Sequence, residues 1–405
     1  MRGRQIALSL RSAGVRAASV SFVALLLAFA CPAARAQTAD SVKVGFITTL
    51  SGSAGVLGQH MYDGFMLRVD QNGGKLGGLR ADIIKGDDQF KPDIGLKISR
   101  EMIERDHVDF ITGFVFSNVL LAALRPALEA QTFVLSGNAG PADYAGVKCS
   151  PYFFGVAYEN DMNDEAAGVY YNQLGVKRVY LMAPNYITGR DALAGFKRTF
   201  KGEIVGETYT KLDQMDYSAE LTQMAAAKPD AAYVFFPGGF GVNFIKQFYQ
   251  AGLRSSIPLL SKATVDLTNL PAQGEAALGS KEITHWNWDL DNPANKEFVA
   301  AYRKKYDYTP SIFSEASYDV ALILDKAIAD VHGNLKDKDA LRKAMEQAGI
   351  QSPRGPFKFN TNHFPIHDQY VVEAKKLPDG QITLVYQGNV RENAQDSFVN
   401  ACHMK

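Results

Sequence analysis

The sequence predicts an α/β protein made of two similar lobes, and three features of the chain indicate this fold class. Strand and helix signals alternate through most of the chain after about residue 40. The pattern starts again near Pro151, and small residues follow several of the strands. Repeated βα units of this kind imply parallel sheets that are covered on both faces by helices.

The first βα unit shows this organisation most clearly. An apolar and β-branched run at 42–47 predicts a buried strand, and small residues at 48–58 predict a loop. Met61, Phe65 and Val69 share one face of the helix that follows. Because this loop brings a helix N-terminus to the carboxyl edge of a sheet, we expect its N–H groups to favour an anion.

The other elements are predicted from the same two periodicities. The first lobe continues with strands at 81–85, 108–111 and 133–135 and with helices around 94–102 and 120–128. The second lobe has helices at 161–174, 190–200, 217–227 and 243–251, and strands at 178–182, 205–209, 231–236 and 258–261.

After Trp286 the signal becomes mainly helical. Helices at 292–306, 314–331 and 337–347 are assigned to the first lobe, because three helices with little strand between them do not form a domain alone. Segments 357–359 and 370–386 are predicted as antiparallel strands on the edge of the second lobe. The chain then crosses between the lobes three times. The predicted boundaries are 37–156 plus 286–353 for the first lobe, 157–285 plus 354–385 for the second, and 386–405 for a C-terminal tail.

Residues 1–36 have the pattern of a secretory signal peptide. Arginines without acids precede an apolar run at 22–30, and Ala34-Arg35-Ala36 forms an A-x-A cleavage pattern before Gln37. The run is too short for a membrane span, and no later segment approaches about 20 apolar residues. We therefore expect export and cleavage near Ala36–Gln37, and we leave these residues out of the fold.

Charge and cysteine content limit the classes of partner and the compartment. The whole chain has 43 basic and 43 acidic residues, and loss of the five arginines before Gln37 leaves a net charge of about −5. A mildly acidic exported protein is not expected to bind nucleic acid. Cys149 and Cys402 remain after cleavage, so a disulfide between them is expected, with two unpaired thiols as the alternative.

Several stretches, taken in their order along the chain, resemble the leucine/isoleucine/valine-binding family of type I periplasmic binding proteins of ABC transporters. They are VKVGFITTLSGSAGVLGQHMYDG at 42–64, Asn72-Gly-Gly, Gly86-Asp-Asp-Gln89, NPANKEFVAAYRKKY at 292–306 followed by Pro310, and Tyr318-Asp319-Val-Ala. The resemblance covers nearly all of the chain after the signal peptide. It implies two Rossmann-like lobes, joined by three crossover segments, that close on a small ligand. It also implies a periplasmic location, a permease in the inner membrane as partner and a protein that works as a monomer.

The resemblance places the ligand contacts at strand ends that face the cleft between the lobes. On this sequence they are Leu57, Phe116, Ser117, Asn138, Ala139 and Gly140 in the first lobe, and Tyr186, Phe240 and Thr264 in the second. Ser117 and the amides at 138–140 would hold a carboxylate. Phe116, Tyr186 and Phe240 would enclose an apolar or aromatic body. The alternatives are a core role for the two phenylalanines and a helix-capping role for Ser117.

One departure from the family pattern bears on the class of ligand. Amino-acid-binding relatives carry an acidic residue near the end of one strand, where it pairs with the ligand's ammonium group. In this sequence Thr264 occupies that position, and the nearest acid, Asp266, lies two residues further on. An unpaired buried ammonium is costly, so we expect a carboxylic acid without an amino group. The two cysteines and Trp286-Asn-Trp288 resemble the branch that takes aromatic acids. A branched-chain amino acid or an amide remains the alternative.

No catalytic, cofactor or metal site is expected. The first loop reads Gly52-x-x-Gly55-x-x-Gly58, not the G-x-G-x-x-G of a dinucleotide site. His363 and His367 have an H-x3-H spacing, but Pro365 prevents a helix through them. An exported hydrolase or oxidoreductase is the alternative from another class. A sensor that signals to a membrane receptor is a third possibility.

Overall fold

A computed structural model describes residues 40–212 and 214–404, and the predicted α/β architecture is present as two sheets. The predicted signal peptide lies outside the described residues. The first sheet has the strand order β2-β3-β1-β4-β5-β6, and all neighbours are parallel except the β2–β3 pair. Its strands are β1 (Ser41–Thr48), β2 (Lys75–Leu76), β3 (Leu79–Asp87), β4 (Phe110–Gly113), β5 (Phe133–Ser136) and β6 (Phe153–Gly155).

The second sheet has the order β12-β13-β11-β10-β9-β7-β8, and β14 pairs with β13. Strands β7 to β11 are parallel to one another, whereas β13 pairs antiparallel with β11, β12 and β14. The strands are β7 (Arg178–Pro184), β8 (Glu203–Thr210), β9 (Ala231–Phe235), β10 (Leu259–Lys262), β11 (Lys281–Thr284), β12 (Lys358–Phe359), β13 (Pro365–Lys376) and β14 (Ile382–Ala394).

Helices cover both sheets. They are α1 (Gly55–Gln71), α2 (Pro92–Glu104), α3 (Ser117–Glu129), α4 (Ala142–Ala145), α5 (Met162–Gln173), α6 (Ile187–Thr199), α7 (Ser218–Ala227), α8 (Gly239–Gln250), α9 (Leu270–Gln273), α10 (Pro293–Tyr306), α11 (Ile312–Asp330) and α12 (Lys338–Glu346). Helix α11 packs against α1 and α12, and α10 also contacts α1, so the late helices lie with the first sheet. The approach of α1 to α11 requires Gly64, because a Cβ there would lie 2.0 Å from the carbonyl oxygen of Ser314.

Four helices begin three or more residues earlier than the sequence predicts, and one strand runs further. The helices α1, α3, α6 and α8 begin at Gly55, Ser117, Ile187 and Gly239, because small and polar residues that resemble a loop form the first helical turn. Their N-termini therefore reach the edges of the sheets. Strand β14 continues to Ala394 along β13, past the predicted start of the tail at residue 386.

Three segments carry the chain from one sheet to the other. They are residues 156–161 after β6, 285–292 after β11, and 347–357 after α12. Arg354 in the third segment is buried, and its Nη1 donates a hydrogen bond of 2.8 Å to the carbonyl oxygen of Ala157 in the first segment. This guanidinium therefore links two of the three crossovers directly.

The same guanidinium lies in a buried ionic cluster. Its Nε is 3.0 Å from Glu315 Oε1 and 3.1 Å from Asp319 Oδ2, both on α11. Ser352 Oγ donates to Asp319 Oδ2 at 2.7 Å, and Nε2 of His285, in the second crossover, lies 3.3 Å from Glu315 Oε2. Burial lowers the pKa of Arg354, but the two carboxylates outweigh this effect and raise it overall. The three crossovers thus meet at one ionic cluster, which we call the Arg354 cluster.

The C-terminus is fixed to the first lobe. A disulfide joins Cys149 and Cys402, whose Cα atoms are 5.6 Å apart, as the cysteine count led us to expect. None of the helices within residues 40–212 and 214–404 is both long enough and apolar enough to span a membrane.

Candidate ligand-binding site

A small cavity lies between the carboxyl ends of the strands of the two sheets. Its free volume is about 20 Å³, enough for a group the size of a water molecule. The walls come from both lobes and from the first crossover, and they consist of Leu57, Val115, Phe116, Ser117, Asn138, Ala139, Tyr158, Asn160, Tyr186, Thr188, Phe235, Pro237, Ala263 and Phe313. A ring-sized molecule can enter only if these walls move apart.

Flat aromatic side chains form much of the cavity wall. The ring centroid of Phe116 is 6.3 Å from that of Tyr186 in the other lobe, and Tyr186 is stacked with Phe235 at 6.2 Å. Outside the wall, Phe90 stacks on Phe116 with the centroids 3.8 Å apart. Burial raises the pKa of Tyr186, so its hydroxyl stays neutral. The wall therefore suits a flat apolar body with a neutral hydroxyl beside it.

The polar end of the cavity lies at the start of α3. Phe116 has the extended backbone of an N-cap, and Ser117 is the first helical residue. The first N–H groups of a helix have no intrahelical acceptor, and within the described residues those of Ser117 and Asn118 have no other acceptor either. The Ser117 hydroxyl accepts a 3.1 Å hydrogen bond from Asn160 Nδ2 and can donate its own proton. These donors suit a carboxylate.

Two of the N–H groups at 138–140 already have acceptors in this arrangement. The N–H of Ala139 donates to the carbonyl oxygen of Phe114 at 3.2 Å, and that of Gly140 donates to Asn160 Oδ1 at 3.0 Å. The Asn138 side chain donates to Val115 O at 2.6 Å and accepts a 2.7 Å hydrogen bond from the Tyr158 hydroxyl. In this arrangement the N–H groups of Ala139 and Gly140 have partners that hold the wall in place, and the carboxylate-binding role expected of these amides stays a prediction.

Two N–H groups of the first loop, where the sequence predicts an anion site, already have acceptors in this arrangement. The N–H of Leu50 donates to Asp87 Oδ1 at 2.9 Å, and that of Gly55 donates to the carbonyl oxygen of Gly52. The first turn of α1 supplies Leu57, which is fully buried in the cavity wall. Anion binding at the start of α1 stays a prediction.

Three of the predicted contact residues do not line the cavity. Gly140 lies behind the wall, where a Cβ would be 2.1 Å from the carbonyl oxygen of Tyr158. Phe240 falls in the first turn of α8 and packs into the core of the second lobe. The Thr264 hydroxyl accepts a hydrogen bond of 2.7 Å from the N–H of Phe236, and Ala263 lines the cavity in its place. The other predicted residues, Leu57, Phe116, Ser117, Asn138, Ala139 and Tyr186, do line it.

A buried acid supports the turn that presents Ala263. Glu282 Oε2 accepts hydrogen bonds from the N–H of Thr264 at 3.2 Å, from that of Val265 at 3.0 Å and from Ser261 Oγ at 3.2 Å. Burial raises the pKa of Glu282 to about 8, and the nearby carboxyl of Asp266 adds to the shift. Glu282 therefore holds backbone and does not enter the cavity wall.

A buried ion pair lies behind the aromatic wall. Lys262 Nζ is 2.7 Å from Asp164 Oδ2, donates to the carbonyl oxygen of Asn160, and lies 5.2 and 5.3 Å from the ring centroids of Tyr158 and Phe235. Asn160 Nδ2 also donates to Asp191 Oδ2 at 3.1 Å. No aspartate or glutamate is among the described side chains that line the cavity.

Sequence reasoning missed Phe90, Asn160, Lys262 and Phe235. Two of them could have been found from their local position at a strand end. Phe90 directly follows the Gly86–Gln89 stretch, and Phe235 is the last residue of β9. The other two depend on contacts between distant parts of the chain, since Lys262 and Asn160 are separated by 102 positions.

The two histidines with H-x3-H spacing have separate structural roles. His363 Nε2 is 2.9 Å from Glu346 Oε1, whereas His367 Nδ1 is 2.8 Å from the carbonyl oxygen of Asp368. Within the described residues no group of three or more His, Cys, Asp or Glu side chains is arranged to hold a metal ion.

Comparisons with known proteins extend over nearly all of the described chain. The model of a family described as periplasmic binding protein matches residues 41–381. A relative from Brucella melitensis named Leu/Ile/Val-binding protein homolog 6 is 28% identical over 86% of this chain and 91% of its own.

Two solved structures match in both sequence and fold. An ABC-transporter solute-binding protein from R. palustris in complex with benzoate is 30% identical, with a TM-score of 0.85, over 89% of this chain and 99% of its own. One from Rhodopseudomonas palustris BisB5 in complex with 3,4-dihydroxybenzoic acid is also 30% identical, with a TM-score of 0.83 and the same coverage of 89% and 99%.

Proposed function

The chain belongs to the periplasmic binding protein family, and from this premise we propose that it captures an aromatic carboxylate between its lobes. The bound acid passes to the permease of an ABC transporter. Proteins of this family bind solutes without converting them, so the protein is not an enzyme and the hydrolase and oxidoreductase alternatives are set aside. Closure is driven by ligand contacts to both lobes.

The single observation that carries the proposal is the composition of the cavity wall. No acidic side chain in the described residues lines it, so an ammonium group would be buried there without a partner. Asp164 and Asp191 lie behind the wall, where they are bonded to Lys262 and Asn160. A carboxylate, by contrast, is matched by the donors at Ser117, the first residue of α3.

The aromatic side chains favour a ring over an aliphatic chain. Phe116 and Tyr186 approach the cavity from opposite lobes, with centroids 6.3 Å apart. A flat ring between them makes stacked or edge contacts with both, and so stabilises the closed arrangement. The complexes of two similar Rhodopseudomonas palustris proteins, one with benzoate and one with 3,4-dihydroxybenzoic acid, support this choice of ligand class.

The test is a thermal-shift and calorimetric comparison of five probes. Benzoate is expected to raise the melting temperature and to give a saturable heat of binding. Benzamide, which lacks the charge, and cyclohexanecarboxylate, which lacks the flat ring, are expected to bind more weakly. Phenylalanine and leucine are expected not to bind. A larger shift with leucine than with benzoate would establish the amino-acid alternative, and no shift with any probe would overturn the proposal.

We also propose the cellular form in which the protein acts. Residues 1–36 direct export to the periplasm, and the mature chain acts as a monomer without nucleic acid. The lobes comprise 37–156 plus 286–353 and 157–285 plus 354–385. All strands of the first sheet fall within the first set of ranges, which supports this division. N-terminal sequencing of the exported protein and light scattering of the purified chain test these points.

A further inference from the structure

We propose that Phe90 is the gate of the cavity, an inference that rests on the proposed function. Phe90 is partly exposed and follows β3 in the first lobe. Its ring stacks on Phe116 with centroids 3.8 Å apart and an interplanar angle of 27°. It also meets the ring of Tyr186 edge-on at 6.4 Å. Both partners line the cavity but Phe90 does not, so its ring covers the outer side of the two aromatic walls.

Phe90 is also shared between the two lobes. It packs against the hydrophobic cluster that contains Phe116 and against the separate cluster that contains Phe240 in the second lobe. A ring that touches both lobes at the mouth must lose contacts whenever the lobes separate. The position of Phe90 is therefore coupled to the motion that admits a ligand.

The backbone that positions this ring has an unfavourable conformation. Gln89 and Phe90 have φ values of 53° and 61°, a region that side chains other than glycine rarely adopt. Asp87 Oδ1 accepts from the N–H of Gln89 at 2.9 Å, and Asp88 Oδ1 accepts from that of Phe90 at 2.8 Å. Thr49 Oγ1 anchors Asp88 Oδ1 at 2.5 Å. A glycine would satisfy the turn without strain, so the bulky residue here is explained by its ring.

The small cavity makes the gate effective. Because a cavity with about 20 Å³ of free volume cannot hold a benzoate ring, its walls must move apart, and the gate admits the ring when the stack of Phe90 on Phe116 opens. Loss of one stacking contact then speeds both entry and exit, by roughly two- to tenfold for a single aromatic pair. Because both rates rise together, the dissociation constant changes little.

The experiment is stopped-flow benzoate binding, followed by the fluorescence of the crossover tryptophans Trp286 and Trp288. Phe90→Ala and Phe90→Gly are compared with Phe359→Ala, which removes another partly exposed phenylalanine that lies outside the cavity wall. Both Phe90 variants should raise the association and dissociation rates by a similar factor, and the control should leave them unchanged. The glycine variant separates the loss of the ring from the backbone strain.

The outcomes separate this inference from the proposed function. If the wild-type protein binds benzoate and the Phe90 variants have unchanged rates, the gate is overturned while the function stands. If the variants lose affinity more than tenfold at an unchanged association rate, Phe90 is a wall of the site and not its gate. If the wild-type protein binds none of the acids, the proposed function fails and the gate fails with it.

Discussion

Replacing Arg354 by methionine removes the one cation of the Arg354 cluster and leaves its carboxylates buried. The change deletes contacts of 3.0 Å to Glu315 Oε1, 3.1 Å to Asp319 Oδ2 and 2.8 Å to Ala157 O, while the methionine side chain keeps part of the apolar volume. Removal of one partner from a buried ion pair costs about 3–5 kcal/mol. We expect a loss of unfolding free energy in that range.

The magnitude follows from the surroundings of the two acids. Glu315 and Asp319 are fully buried on α11, and burial together with the charge of Glu315 raises the pKa of Asp319 well above its usual range. Without Arg354, the acids must either stay charged without a partner or take up protons. Arg354→Met should therefore be least destabilising at low pH, where protonation relieves the repulsion.

Urea unfolding monitored by circular dichroism measures this effect. The control is Arg125→Met, because Arg125 is 83% exposed and solvent screens its pairing with Glu129 on α3, so little change in stability is expected. The triple variant Arg354→Met, Glu315→Gln, Asp319→Asn should recover part of the loss, since it leaves no unpaired charge. A loss below about 1 kcal/mol for Arg354→Met would refute the view that this ionic cluster holds the crossovers together.

Three further predictions concern the site, its support and the C-terminus. Ser117→Ala should weaken benzoate binding by roughly tenfold or more in calorimetry, since a hydrogen bond to a charged group contributes about 1.5–3 kcal/mol, and an unchanged affinity would place the carboxylate elsewhere. Glu282 has a pKa of about 8 in the folded protein and about 4.3 when unfolded, so the folded state binds the extra proton and stability falls as the pH rises between these values. The melting temperature of the wild type should accordingly fall more than that of Glu282→Gln between pH 6 and 8, and parallel curves would contradict this. Replacing Cys149 and Cys402 by serine opens a loop with a sequence separation of 253 and should lower the unfolding free energy by about 2–5 kcal/mol, whereas an unchanged urea midpoint would contradict a stabilising role.

The fold class could be predicted because it depends on local patterns, whereas the candidate contact residues came from the resemblance to the binding-protein family. An apolar strand followed by small residues marks a sheet edge, and such edges bring Leu57, Phe116, Ser117, Asn138 and Tyr186 to one place. The order of strands and helices also placed the late helices α10 to α12 with the first lobe, since they could not form a core alone.

The direction of individual side chains could not be predicted in the same way. Ala263 has a φ of 52°, which turns the chain after β10, so Ala263 and not Thr264 lines the cavity. Phe240 does not line the cavity because α8 begins four residues early, at Gly239, and its first turn directs this ring into the core. Both differences from the expected arrangement come from local backbone conformation that residue type does not reveal.

Contacts between distant segments account for the other features that the sequence did not predict. Asn160 joins Ser117 on α3, Gly140 in the loop after β5, and Asp191 on α6. The Arg354 cluster likewise joins a crossover segment to α11 and to a carbonyl group 197 positions earlier in the chain. Periodicity and spacing carry no information on such contacts, which exist only once both lobes are assembled.

A crystal structure of the protein grown with benzoate tests the central claim most directly. The account predicts a ring between Phe116 and Tyr186 and a carboxylate within hydrogen-bond distance of the Ser117 hydroxyl and the first N–H groups of α3. Benzoate bound outside the walls of this cavity, or with its carboxylate away from α3, would contradict it.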